Sequence, residues 1–96
     1  MRTVYLDHSA TTYVRDEVLQ EMLPYFSEKY GNPSSIHTVG RDSRRIVDDC
    51  RERVASLLRV KPGEIIFTSG GSEADNLAIK GRAWAMRGKG DHLITS

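Results

Sequence analysis

Residues 64–81, Glu-Ile-Ile-Phe-Thr-Ser-Gly-Gly-Ser-Glu-Ala-Asp-Asn-Leu-Ala-Ile-Lys-Gly, constrain this chain more than any other stretch. Ile65-Ile66-Phe67-Thr68 is a short, apolar, β-prone run. It meets a Ser69-Gly70-Gly71-Ser72 turn that opens directly into a helical pattern. Such a junction gathers backbone N–H groups and the positive end of a helix dipole around one small space, which suits a phosphate. The paired glycines let a ligand approach the main chain. Ser72 offers a hydroxyl proton to an anion, and it is equally suited to cap its own helix, with Asp75 as a weak capping-box partner. Glu73 suits the dipole but would repel a phosphate if it turned inward. Two nucleotide signatures are excluded: Gly71 is followed by Ser-Glu rather than Lys-Ser/Thr, and residues 69–74 do not supply Gly-x-Gly-x-x-Gly.

The rest of the chain narrows the setting. A net charge of +1 over 96 residues leaves no basic surplus for a nucleic-acid backbone. The apolar fraction of 39% and charged fraction of 28% are those of a globular, water-soluble chain. One cysteine excludes a disulfide framework and a cysteine-based metal cluster. Charge arrives too early at the N-terminus for a signal-peptide core, and no apolar run reaches membrane-spanning length. A cytoplasmic location without membrane association is the expectation.

Residues 3–6 form a β-prone run leading into the polar loop Asp7-His8-Ser9-Ala10-Thr11-Thr12. Asp16 and Glu17 begin a helix with Val18, Leu19, Met22, Leu23 and Phe26 at helical spacing, and Pro24 should kink or end it. Gly31-Asn32-Pro33-Ser34-Ser35 breaks the pattern, with the serines as cap candidates. A second helix over residues 41–59, or starting earlier, carries the stripe Ile46, Val47, Cys50, Val54, Leu57 and Leu58. Its opposite face pairs Arg44 with Asp48 and Arg45 with Asp49 at i,i+4. Cys50, on the stripe, is expected to be a buried and inert thiol. His8, His37 and His92 show no metal spacing, and His92 is expected at the surface.

A third helix is expected over residues 72–86, and a strand over 92–95. Strand, helix, strand makes a βαβ unit, so the fold class is α/β with a mainly parallel sheet. A parallel sheet needs several strands covered on both faces. The chain therefore reads as one partial domain, incomplete as given: N-terminal helices over 1–62 and the first βαβ unit over 63–96. Half a sheet offers little to offset backbone ordering entropy, so further chain or a partner is expected to hold it.

Three co-linear stretches carry a family resemblance: residues 5–12, Tyr-Leu-Asp-His-Ser-Ala-Thr-Thr; residues 31–37, Gly-Asn-Pro-Ser-Ser-Ile-His; and residues 68–81. In order and spacing they resemble the N-terminal part of cysteine desulfurases, pyridoxal-phosphate enzymes of the class V aminotransferase group. The resemblance implies a fold-type I transferase that converts L-cysteine to L-alanine and passes sulfur to an enzyme cysteine, for iron–sulfur cluster or thio-cofactor synthesis. It implies a homodimer, pyridoxal 5'-phosphate as cofactor, and a sulfur-acceptor or scaffold protein as partner. The Ser69–Ser72 turn then matches the loop that holds the cofactor phosphate, through the Gly71 N–H and the Ser72 N–H and hydroxyl. The family usually has Thr at the position of Ser72 and often Ala at that of Gly71; both changes keep the donors. The loops 7–12 and 32–37 resemble segments near the active-site mouth and dimer interface, and the resemblance singles out His37 among the three histidines to serve there.

The lysine, histidine, aspartate and mobile-loop cysteine that do the family's chemistry lie beyond the matched region. Lys80 and Lys89 do not match the Schiff-base motif, and no catalytic or metal-binding residue is assigned. The 96 residues alone are expected to be inactive. A selenocysteine lyase or another class V aminotransferase is the near alternative; a stand-alone α/β interaction module is the distant one.

Overall fold

A computed structural model describes all residues, Met1–Ser96. It contains four α-helices: α1 (Asp16–Met22), α2 (Pro24–Ser27), α3 (Thr38–Leu58) and α4 (Gly71–Ala85), with one 3₁₀ turn at Pro62–Glu64. There is no β-strand. Residues 3–6, 65–68 and 92–95 run as irregular chain, so the βαβ unit and parallel sheet expected from the sequence are not formed within these 96 residues. A strand exists only through pairing, because its N–H and C=O groups need a neighbouring chain. Here none of the three runs is laddered as a strand. Ile66 remains 67% exposed and Ile94 91%, apolar side chains with no layer laid over them.

The chain divides into two compact units, Met1–Val54 and Ala55–Ser96. In the first, Asp16 and Glu17 occupy the opening turn of α1, where carboxylates favour the dipole. Leu23 keeps helical angles (φ −49°, ψ −44°), and Pro24 restarts the helix as the first residue of α2. That first position needs no N–H, so the expected kink costs no hydrogen bond.

Ahead of α3, the Asn32 Oδ1 accepts the Ser34 N–H at 2.9 Å, and the Asn32 carbonyl accepts the Ser35 N–H at 3.0 Å. This turn uses the backbone N–H groups of both serines that the sequence offered as caps, and α3 starts beyond them, at Thr38. His37 takes that role. Its carbonyl accepts the Arg41 N–H at 3.0 Å, and its Nδ1 accepts the Gly40 N–H at 3.3 Å. Gly40 and Ser43 are buried beneath this loop end of the helix.

Along α3, Ile46, Val47 and Val54 are half-buried, but Leu57 is 83% exposed and Cys50 is exposed. The expectation of a buried thiol at Cys50 is corrected. It sits on the stripe as read, but nothing in these residues packs over that part of the helix. The charged face also differs in one pair: Arg44 meets Asp48 at 3.9 Å, whereas Arg45 turns back to Asp42 at 3.3 Å rather than forward to Asp49. Exposed pairs of this kind contribute only tenths of a kcal/mol, about 0.2–0.5 each.

In the second unit α3 ends on a left-handed residue that is not glycine. Arg59 has φ 57°. Its N–H donates to the Ser56 carbonyl at 3.2 Å, and the Val60 N–H donates to the Ala55 carbonyl at 3.0 Å. This pair of bonds is the Schellman closure, and Ala55, whose carbonyl takes the second bond, is 1% exposed. An L-residue pays about 1–2 kcal/mol for this conformation, partly offset by its smaller unfolded-state freedom. Arg59→Gly is expected to raise stability by about 0.5–1 kcal/mol, read as a higher urea midpoint; a lower midpoint would show that the arginine side chain contributes more than its backbone costs.

Candidate functional site

The turn that enters α4 is built by hydrogen bonds between neighbours in sequence. Gly70 is the helix cap, with extended backbone (φ 168°, ψ −178°) and no side chain to serve as acceptor. The first helical bond runs from the Ala74 N–H to the Gly70 carbonyl at 3.1 Å. The N–H groups of Gly71, Ser72 and Glu73 therefore precede the ladder and have no acceptor inside the helix. The Thr68 hydroxyl donates to the same Gly70 carbonyl at 3.1 Å.

Glu73, in the third helical position, folds back on Ser69. One carboxylate oxygen accepts the Ser69 N–H at 2.9 Å and also the Ser69 hydroxyl. The alternative in which Ser72 caps its own helix with Asp75 does not form, since α4 has no side-chain cap bond. The Ser72 carbonyl instead accepts the Asn76 Nδ2–H at 2.8 Å, and its hydroxyl is left for another partner.

The resulting surface has the character of an anion cradle. Successive main-chain N–H groups and one hydroxyl lie at the positive end of a 15-residue helix. A Cβ placed on Gly70 or Gly71 would meet nothing within 4 Å, so the main chain is open to a ligand. A shallow groove continues from Ser72 and Glu73 along α4 past Asn76, Leu77, Lys80 and Gly81. The donor set, neutral and uncommitted, fits a phosphate monoester.

Hydrogen bonds from the Ser69 hydroxyl and then the Ser69 N–H hold the Glu73 carboxyl below its ordinary value of 4.5. A folded-state value that is lowered favours the ionised form. The contribution of the Glu73–Ser69 contact is complete above pH 4.5 and is lost as pH falls through the lowered value. A carbon-detected NMR titration should give Glu73 a lower midpoint than a model glutamate. Ser69→Ala should move that midpoint part of the way back. Identical midpoints in the two proteins would refute the contact.

The other two motif loops belong to the first unit. In residues 7–12 the Tyr5 hydroxyl lies 2.9 Å from the Asp7 carbonyl and 3.0 Å from that of Thr11, and His8 Nδ1 is 2.9 Å from Thr12 Oγ1. The Tyr5 and His8 rings meet edge to face at 4.9 Å. In the second loop His37 is bound to the start of α3, as described above. Sequence reading missed both this cap and the Glu73–Ser69 contact. The latter spans four residues, whereas the capping-box pattern spans three; Ser-x-x-x-Glu across two glycines was the available signal.

Residues 4–96 match the aminotransferase class-V family. A protein of Dictyoglomus turgidum named cysteine desulfurase IscS is 54% identical over 95 residues, which are 99% of this chain and 24% of that protein. The putative cysteine desulfurase IscS 1 of Bacillus subtilis is 52% identical over 96 residues, 100% of this chain and 25% of that one. Among solved structures, a NifS-like protein matches with a TM-score of 0.81 at 44% identity, over 88% of this chain and 23% of its own. The chain thus spans about a quarter of the length of these relatives. No helix is long and apolar enough to cross a membrane.

Proposed function

The chain belongs to the aminotransferase class-V family, and from this we propose that it is the N-terminal segment of a cysteine desulfurase. The complete enzyme converts L-cysteine to L-alanine and passes the sulfur to one of its own cysteines, for iron–sulfur cluster or thio-cofactor synthesis. It works as a cytoplasmic homodimer with pyridoxal 5'-phosphate and delivers sulfur to an acceptor or scaffold protein. The observation that carries this reading is the identity of 54% along essentially the whole chain with a protein named cysteine desulfurase.

In this reading the segment supplies the cofactor's phosphate anchor. Gly71 donates its N–H, and Ser72 its N–H and hydroxyl, to the phosphate oxygens. The uncommitted donors at the start of α4 support that assignment. Charge-assisted bonds of this kind are stronger than neutral ones, and the helix end adds a partial positive charge of about one half. Pyridoxal phosphate, when bound, supplies the electron sink for breaking bonds at the substrate carbon. The segment's own part is to fix the position and tilt of the group that does so. Lys80, exposed on α4, does not match the family's Schiff-base motif and is not proposed as the covalent partner.

The test is to express the complete protein carrying this segment, supply pyridoxal phosphate and L-cysteine, and measure alanine and transferable sulfur. Alanine and sulfur in equal amounts are expected, with neither from the 96 residues alone. Failure of the complete protein to form alanine from cysteine overturns the reading; alanine from the isolated segment overturns the division of labour within it.

A further inference from the structure

The same turn holds a carboxylate beside the donors assigned to a phosphate. Placed a little differently, Glu73 would compete for that site. Its carboxylate instead takes two donors that the proposed phosphate site does not use, the N–H and hydroxyl of Ser69. From these contacts, and resting on the proposed function, we infer that Glu73 is a positioning residue for the cofactor phosphate, acting through Ser69.

The reasoning starts from the two glycines. Gly70-Gly71 has the greatest backbone freedom of any pair in the chain, and neither glycine is held by packing, since no atom lies within 4 Å of a Cβ built on them. The Gly71 and Ser72 N–H groups are oriented by α4 itself, but left alone the glycines would let residues 68–69 swing across them. A ligand would then meet the entropy of holding that segment aside. Two tethers remove that freedom. Glu73 ties Ser69, before the glycines, to the first turn of α4 after them. Thr68 ties its hydroxyl to the Gly70 carbonyl at 3.1 Å, and that carbonyl also starts the helix ladder.

The tethers also divide the available donors. With Ser69 engaged, its N–H and hydroxyl are withdrawn from an arriving phosphate, which is left the donors of the first turn of α4, those of Gly71 and Ser72 foremost. The repulsion between two anions works the other way. Glu73 is fully exposed, where water and salt screen such repulsion, while the ordering effect is independent of salt.

The test uses the complete enzyme and two probes, pyridoxal 5'-phosphate and pyridoxal, which lacks the phosphate. Dissociation constants are measured by equilibrium dialysis for the wild type, Glu73→Ala, Glu73→Gln, Ser69→Ala and Ser72→Ala. Glu73→Ala is expected to weaken pyridoxal phosphate about tenfold and to leave pyridoxal unchanged. Glu73→Gln keeps an oxygen that can accept from Ser69, so it should stay within about threefold of wild type. An unchanged or tighter constant for Glu73→Ala overturns the inference, and so does equal weakening of both probes, which would mean general unfolding. If Glu73→Ala does not fold, Ser69→Ala substitutes. It is expected to weaken the phosphorylated probe about threefold, and no weakening overturns the inference. The proposed anchor fails separately: a wild type that does not bind pyridoxal phosphate, or a Ser72→Ala variant that binds it as well as wild type, removes the site itself.

Discussion

Gly40→Ala is expected to lift the 32–37 loop off the start of α3 and to cost about 3 kcal/mol, the upper end of overpacking penalties. A Cβ on Gly40 would overlap the Ser35 carbonyl oxygen and would lie 2.6 Å from the Ser35 Cβ and 2.8 Å from the Asn32 carbonyl oxygen. Two of these three obstacles are backbone, and the backbone here is already committed. Asn32 accepts the Ser35 N–H through that same carbonyl, and Gly40 donates its own N–H to His37. Neither group can withdraw without breaking a bond that shapes the loop. Gly63 is the control, because a Cβ there meets nothing within 4 Å. Gly63→Ala should be close to neutral, within about 0.5 kcal/mol. Urea unfolding of the complete protein, followed by ellipticity at a helix wavelength, checks both; equal midpoints for Gly40→Ala and wild type would show that the loop yields cheaply.

The second large effect concerns binding rather than folding. Gly71→Pro is expected to leave α4 intact and to weaken pyridoxal phosphate by about a hundredfold, the sum of one lost charge-assisted bond and the bulk of the ring. The substitution is unusually clean because Gly71 is the first residue of α4, a position that proline favours and where the missing N–H has no helical partner. The residue before it is already extended, at ψ −178°, as a residue preceding proline must be. Helix content by circular dichroism should therefore match wild type while cofactor affinity falls. Unchanged affinity would remove the Gly71 N–H from the anchor. A loss of helix content would instead show that the glycine serves the fold.

What could be read from the sequence follows a physical line. Helices were legible because their bonds are internal: α3 begins three residues before the expected Arg41 and α4 one residue before the expected Ser72. Pro24 marked the break between α1 and α2 through its missing N–H. Strands were not realised because a strand's bonds lie outside itself, and residues 65–68 and 92–95 form no ladder within these residues. Cys50 failed for a related reason: an amphipathic pattern specifies which face is apolar, not what covers it. At the site, the glycines and Ser72 were legible as donors at a helix start. The Glu73–Ser69 contact was not, because Ser72 and Asp75 offered a more familiar pattern one step along the chain.

The exposed C-terminal end of the α3 stripe bears on how such a protein is made. If the segment lies at the N-terminus, as proposed, it leaves the ribosome first. The 95 matched residues are 24% of the Dictyoglomus relative, so on the order of 300 residues would still be unmade. At about 5–20 residues per second that is a wait of roughly 15–60 s. During it Leu57 and Leu58 at the end of α3, and Ile36 in the loop ahead of it, at 83%, 63% and 90% exposure, face solvent. A growing chain in that condition carries these apolar side chains in water until the residues that would cover them are made.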